Sequence, residues 1–492
     1  MEHLNQNDLP TAKALGDYSS SKAVVFHIPG HGGRAAHPLL EEYGLYPDDA
    51  TSIARSSGML LADLPSSEYV AEDPDVAGQK LAAQAWGADQ AWWLLGGASQ
   101  GNQAALLGLT KPGDIVVASC GSHISVLSGL VLSGATPVWV EPQQNHDWET
   151  FLPLGVEELQ LALSGLEDKD QQARCVVVTS PTYFGQVADI PALAKACHNH
   201  GCALWVDGSW GSHFGFHSGL PENPLHQGAD LMLASTHKHA GSLRGSAILF
   251  ACETEWMTQQ DHMGISRGLR WLASTSPSFL LRMGLDAARW QQTNHGQELW
   301  TGVLGLAERA RARLALVPGL EISDQYMSSR DQDKTRLIID VSASGWDAMK
   351  LERCLSKEHH IFIELATSKL LVCMVSHGNT INDVERLAQA LEELLPDPQS
   401  ARRLGLIPAM GAQVISPRQA AQSDVKMIPL QSAEGLVAAE AISVYPPGIP
   451  ALIPGMEVTA EMIKYLSCAI ELGARLYGGS DPHGHKILVV SE

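Results

Sequence analysis

From about residue 80 to 250, short apolar runs rich in β-branched residues alternate with stretches whose apolar positions recur at helical spacing. The runs AWWLLG (91–96), DIVVAS (114–119), TPVWVE (136–141), RCVVVTS (174–180), ALWVDGS (203–209), ADLMLAS (229–235) and GSAILFA (245–251) predict strands. Between them, VEELQLALSGL (156–166) and IPALAKACHNHG (190–201) predict helices, the second closing on a glycine as helix C-caps often do. Strands that are apolar throughout, not only on alternate residues, predict a mostly parallel sheet covered by helices on both faces. Sites in such sheets lie at the carboxyl ends of the strands.

Further along, residues 278–315 read as helix. TRLIIDVS (335–342), HIFIEL (360–365) and LLVCMVS (370–376) read as strands, and DVERLAQALEELL (383–395) as helix. Together these predict a small α+β domain. LPDPQSARRLGLIP (395–408) reads as a linker, and a Pro- and Gly-rich module containing VYPPGIPALIPGME (444–457) follows it. The expected organisation is an N-terminal segment (1–38), a large α/β domain (39–320), a small α+β domain (321–398) and a C-terminal α+β module (399–492).

Composition narrows the function classes. The 492 residues carry 33 Lys+Arg against 54 Asp+Glu, a net charge of −21, and 45% are hydrophobic. Such a chain can bury a large core and is not disordered. Its negative charge argues against nucleic-acid or anionic-membrane partners. The start, MEHLNQNDLPTAK, lacks the basic-then-apolar pattern of a signal peptide. The long uncharged stretch Ile115–Val140 carries five Ser, His123 and Pro137, too polar for a bilayer span. Eight scattered cysteines without Cys-x-x-Cys read as reduced core thiols of a cytoplasmic protein. The 20 histidines show no H-E-x-x-H spacing, so the sequence gives no support for a metal site.

Four polar features fall at the ends of the predicted strands. GGASQGNQ (96–103) lies between strand and helix, where glycines admit a ligand and the helix N-terminus offers N–H groups to an anion. Asp207, at the end of an apolar run, would be desolvated and need a cation. Lys238, in STHKHAGS (235–242), leaves another apolar run, where burial would lower its pKa and free its amine as a nucleophile. His123 lies in ASCGSHIS. Taken singly these also fit a Gly-rich turn, a capping aspartate, a surface lysine and a hydrogen-bonded histidine. Together, a phosphate cup, a carboxylate and a strand-end lysine are the parts that hold pyridoxal 5′-phosphate.

The motifs extend beyond these four. HIPGHGG (27–33), SPTYFG (180–185), VDGSWGSHFGFH (206–217), STHKHAGSL (235–243), STSPSFLLRMGLD (274–286), ISPRQA (415–420) and the C-terminal VYPPGIPALIPGME occur in one order. In this the chain resembles the short-form bacterial ornithine/lysine/arginine decarboxylases, across nearly its whole length. The resemblance implies an α/β fold with a type I PLP-dependent transferase large domain, the small α+β domain and the C-terminal module. It implies decarboxylation of arginine, lysine or ornithine to the amine feeding polyamine biosynthesis, in a homodimer or higher oligomer with sites at the subunit interface.

By the same resemblance Lys238 carries the cofactor covalently, Asp207 pairs with the pyridine nitrogen and His123 stacks on the ring. Ala98, Ser99, Gln100, Ser235 and His237 hold the phosphate, and Ser209 stands where an alanine packs beneath the ring. Trp210 matches a tryptophan of longer members. Ser276 and Ser278 reach the neighbouring subunit's phosphate. The chain departs from the family at Gly32, usually Lys, at Arg244-Gly245, usually Thr-Gln, and in LLADLPSSEYVAED (60–73). Arg244 could grip a substrate carboxylate. Asp63, Glu440 and Glu457 are the candidate acids for a basic substrate tail. The competing expectations are transamination or elimination on the same scaffold, and a non-catalytic binding protein that kept the fold.

Overall fold

The computed structural model describes residues 5–14, 74–323, 331–397, 403–445 and 449–491. HIPGHGG, Gly32, Asp63 and the 60–73 segment lie outside the described residues.

All seven predicted strands of the large domain form, and they form one sheet. They are β1 (Gln90–Leu94), β2 (Ile115–Ser119), β3 (Thr136–Val140), β4 (Ala173–Thr179), β5 (Ala203–Asp207), β6 (Leu231–Ala234) and β7 (Ala247–Ala251). The order is β1-β7-β6-β5-β4-β2-β3. Neighbours from β6 through β3 are parallel, and only β7 runs against both of its neighbours.

Alternation along the strands explains their unbroken apolar sequences. Val176, Val178, Leu204 and Val206 enter the core on one face, while Cys175, Val177, Ala203 and Trp205 enter the core on the other. Both faces being dry, no polar alternation survives. Helices α1 (Gly97–Leu109), α2 (Ile124–Ser133), α3 (Val156–Glu167) and α4 (Ile190–Asn199) cross between strands, and α4 ends beside Gly201 at φ +69°. A one-turn helix, α5 (Thr236–His239), follows β6, and α6 (Gln259–Leu272) packs on α1. That crossing needs glycine: a Cβ on Gly264 or Gly268 would come within 2.3 Å of the carbonyl oxygen of Gly108 or Ala104. The close contact fixes α1, and therefore its N-terminal loop, against the sheet.

Helix α7 (Phe279–Leu314) leads to an antiparallel sheet of β8 (Glu321–Ile322), β9 (Arg336–Asp340), β10 (Leu365–Ala366) and β11 (Leu370–Met374), ordered β8-β9-β11-β10. One expectation is corrected here. HIFIEL (360–365) is not a strand: His360 sits at φ +54°, Phe362 is 79% exposed, and pairing with β11 begins only at Glu364. An apolar run does not make a strand where the backbone turns out of the ladder. Helices α8 (Ala348–Glu358) and α9 (Ile381–Leu394) cover this sheet.

In the C-terminal module, β12 (Val425–Pro429) pairs with β16 (Lys486–Val490), and β13 (Ile442–Tyr445) lies between β14 (Ile449–Leu452) and β15 (Arg475–Tyr477). Arg418 of this module donates to the carbonyl oxygens of Val131 and Leu132, tying it to the end of α2. No helix of the described residues is long and apolar enough to cross a membrane, and all eight cysteines are free thiols.

Candidate active site

The parallel strands carry their polar residues to one end. Asp207 is the last residue of β5 and is buried. Its Oδ1 accepts from Ser209 N at 3.1 Å and Ser209 Oγ at 2.5 Å, and its Oδ2 accepts from Asn102 Nδ2 at 2.9 Å. Four lone-pair positions thus receive three donors, and among the described residues no Lys or Arg forms an ion pair with it. Such a carboxylate is held rigid and, among the described residues, has no cation bonded to it. Ser209 fixes the carboxylate through its hydroxyl and its backbone N–H.

A chain of hydrogen bonds runs outward from there. Asn102 Nδ2 also donates to Ser125 Oγ at 2.9 Å, and Ser125 Oγ lies 2.8 Å from His123 Nδ1. His123 is the N-cap of α2, its Nδ1 accepting from Ser125 N at 3.2 Å. The neutral ring therefore carries its proton on Nε2. Burial lowers the His123 pKa, Asp207 raises it in part and Lys238 lowers it again. Each of the three thus stands within electrostatic reach of the others.

Lys238 lies in α5, just past β6, the strand paired with β5. Burial pushes its pKa down to about 8, with Asp207 and Glu364 opposing and Arg336 adding to the depression. Its Nζ stands 3.5 Å from the centroid of the Trp210 ring. Trp210 is buried, meets Tyr183 edge-on with centroids 5.7 Å apart, and also carries the guanidinium of Arg336, whose Cζ is 4.2 Å from the ring centroid.

The glycine loop opens α1 without a side-chain cap, so the N–H groups of its first turn, including Ala98 and Ser99, lack helical partners. Gly97 at φ +71° makes that turn, a backbone state natural to glycine. The Gln100 side chain is otherwise engaged: Oε1 accepts from Gly96 N at 2.9 Å and Nε2 donates to Leu272 O at 3.2 Å. Its backbone remains for the cup. Ser235 is buried at the end of β6, with a hydroxyl that no described residue bonds. His237 Nδ1 donates to Ser246 O at 2.6 Å, leaving Nε2 as an acceptor unless a second proton is bound, and burial lowers its pKa. Ser276 and Ser278 line a cleft of about 610 Å³ with Ser99 and Gln100 of the same chain, on the outer side of the cup.

Three expected substrate contacts are placed as follows in the single chain. Arg244 is exposed, with a long-range influence on His237 and Tyr445. Glu440 braces the C-terminal module, accepting from Ser480 N at 2.7 Å and Leu488 N at 2.8 Å. Glu457 is exposed in the same module. Besides Asp207, which acts on Lys238 and Tyr183 more strongly, Glu364, just before β10, acts on Lys238, Tyr183 and Tyr445. Sequence reading missed Glu364, Arg336 and Asn102. Asn102 alone left a signal, a polar residue in the first turns of a helix whose other buried positions are apolar or glycine.

Comparison with known proteins agrees with this geometry. The Orn/Lys/Arg decarboxylase major domain matches residues 9–329, and the C-terminal domain of the same family matches residues 407–487. The chain belongs to the Orn/Lys/Arg decarboxylase family. It is therefore an amino-acid decarboxylase. It is 30% identical to an arginine decarboxylase of Bacillus subtilis, over 99% of both chains. An arginine decarboxylase of Halalkalibacterium halodurans is also 30% identical, over 99% of this chain and 98% of the relative. The fold of this decarboxylase is that of the lysine decarboxylase of Francisella novicida, with a TM-score of 0.79 at 18% identity, covering 99% of this chain and 82% of the other.

Proposed function

We propose that this decarboxylase uses pyridoxal 5′-phosphate to convert arginine to its amine and CO₂, with lysine and ornithine as the rival substrates. The observation that carries the reading is the half-buried lysine of depressed pKa near a buried carboxylate that has donors but, among the described residues, no ion pair with a Lys or Arg. Such a carboxylate fits a protonated pyridine nitrogen, and the uncapped start of α1 fits a phosphate. Asp207, Lys238, the α1 N-terminus, Ser235 and His237 are the residues that would hold the cofactor. When bound, the cofactor supplies the electron sink for the pair released as the Cα–carboxylate bond breaks.

The chain's own residues do the rest. Lys238 Nζ would hold the cofactor and, when free of it, would carry a proton to Cα. His123 Nε2 is the second candidate for that proton. Asn102 and Ser209 hold Asp207 in place, so its charge is oriented before reaction begins. Trp210 and Tyr183 keep water from the lysine. Glu364, with Tyr183 and Tyr445 near it, would take the guanidinium or ammonium of a basic side chain. A homodimer or higher oligomer, a cytoplasmic setting and a role in polyamine biosynthesis complete the reading; the free thiols support the second of these.

The test is to supply arginine, lysine and ornithine separately and measure CO₂ and amine. Arginine should be the best substrate, and no product from any of the three rejects the reading. Glu364→Gln should raise KM for the preferred substrate roughly 10- to 100-fold, the weight of one charge-assisted contact, with little change in kcat. An unchanged KM would remove Glu364 from the tail site.

The pH dependence of cofactor capture has a definite sign. Only the neutral amine attacks an aldehyde, and burial brings Lys238 to about 8. In cofactor-free protein the rate of covalent capture should climb from pH 7, pass half its maximum near 8 and flatten above it. Stopped-flow absorption of the bound cofactor reads this directly. A rate still climbing tenfold per unit beyond pH 9 would mean an ordinary, solvated lysine.

A further inference from the structure

Arg336 opens β9 and is wholly buried, yet among the described residues none of its three side-chain nitrogens has a hydrogen-bond partner. A guanidinium brings five donors, no acceptor and a charge that does not leave, so burying it unanswered is strongly disfavoured. Its neighbours in sequence do not answer it. Asp333 spends Oδ1 on Thr335 N and Oγ1, at 3.0 and 2.7 Å, and on His213 Nε2 at 3.4 Å. It forms no ion pair with Arg336 among the described residues. Asp333 and Glu364 act on Arg336 through space, Asp333 the more strongly, but neither bonds to it among the described residues. The guanidinium lies instead on Trp210, the ring that Lys238 also approaches.

Two groups at 3.5 and 4.2 Å from one ring centroid lie within about 8 Å of each other. A substrate amine that replaces the Lys238 amine has its α-carboxylate two bonds away. The carboxylate oxygens then need only one hydrogen-bond length, about 2.8 Å, to meet the guanidinium. A carboxylate at the far end of a side chain would overshoot. We propose that Arg336 binds the α-carboxylate of the substrate, across the face of Trp210. This deepens the proposed function, because it rests on the substrate amine taking the place of Lys238.

The assignment has a consequence for the reaction. The bond that breaks is the one to the group Arg336 holds, so the contact is strongest in the bound substrate and weakens as CO₂ forms. Arg336 therefore aims and retains the carboxylate, and its removal should weigh on KM more than on kcat.

The experiment compares holoenzyme with Arg336→Met and Arg336→Lys. Each amino acid of the arginine, lysine and ornithine set is titrated against its own decarboxylated amine, reading the visible absorption of the bound cofactor. Wild type should prefer amino acid over amine. Arg336→Met should cut that preference about 100-fold, the worth of a bidentate charged pair, and Arg336→Lys should restore part of it. KM should rise by a like factor in Arg336→Met while kcat changes less than about tenfold.

Without substrate, Arg336→Met should melt at or above the wild-type temperature, since an unpaired buried charge has gone. A wild-type preference ratio in Arg336→Met overturns the proposal. So does a variant that melts lower or fails to fold, which would show the guanidinium bracing the sheet. The ratio is read by binding, so it stands apart from the reaction: a wild type that binds amino acids but forms keto acid instead of CO₂ sinks the decarboxylation reading while leaving Arg336 in its role.

Discussion

Lys238→Ala should abolish covalent cofactor binding and lower turnover by at least roughly ten-thousand-fold, since nucleophile, anchor and proton carrier are lost together. The protein should still fold. At neutral pH the native lysine holds a charge that burial disfavours, which is why its pKa falls to about 8. Removing it takes away an amine from beside Trp210 and leaves the Asp207 network untouched, because neither Asn102 nor Ser209 bonds to Lys238. Borohydride reduction of wild type followed by peptide mapping should place the adduct on residue 238, and the variant should give no reduced adduct. An adduct elsewhere in wild type would end the reading of this site, whatever the activity.

Asp207→Ala should keep the fold and some of the cofactor but lose about a thousand-fold in kcat, the scale of one preorganised charge opposite the developing charge of the transition state. Asn102 and Ser209 would be left with buried donors unanswered, so a melting temperature lowered by several degrees should accompany the loss. Asp207→Asn separates the two effects, since an amide keeps an acceptor for those donors but not the charge. A second readout is His123. Asp207 raises the His123 pKa against burial, so its removal should lower that pKa further. The acid limb of the pH–rate profile should then move to lower pH if His123 shapes it. Near-normal kcat in Asp207→Ala would contradict the part given to this carboxylate.

Much of the site was legible because it is local. Asp207 and Lys238 each end an apolar run, and strands that enter a core must leave it at a polar residue. Gly97 needs a positive φ and precedes a helix, so the cup could be read from a handful of adjacent letters. Trp210 was marked by its motif. The substrate contacts chosen by chemistry and sequence position alone are less legible. Arg244 and Glu457 point to solvent, and Glu440 spends its carboxylate on two backbone N–H groups of its own module. Arg336 and Glu364, the contacts proposed above, belong to the small sheet, over a hundred residues from Asp207. Nothing in TRLIID distinguishes an arginine that meets Trp210 from one that meets water.

HIFIEL shows the same limit within one element. Its apolar letters are those of a strand, but a strand exists only where a neighbour accepts its hydrogen bonds, and His360 at φ +54° turns the chain away until Glu364. Sequence by itself determined the seven-stranded sheet, its two dry faces and the lysine and carboxylate at the ends of two of its central strands, because those follow from the periodicity of burial and the polarity of strand ends. Only the tertiary structure decided which charges share a pocket. Ionic partners are chosen by distance and by exclusion of water, and both are set by how distant segments pack.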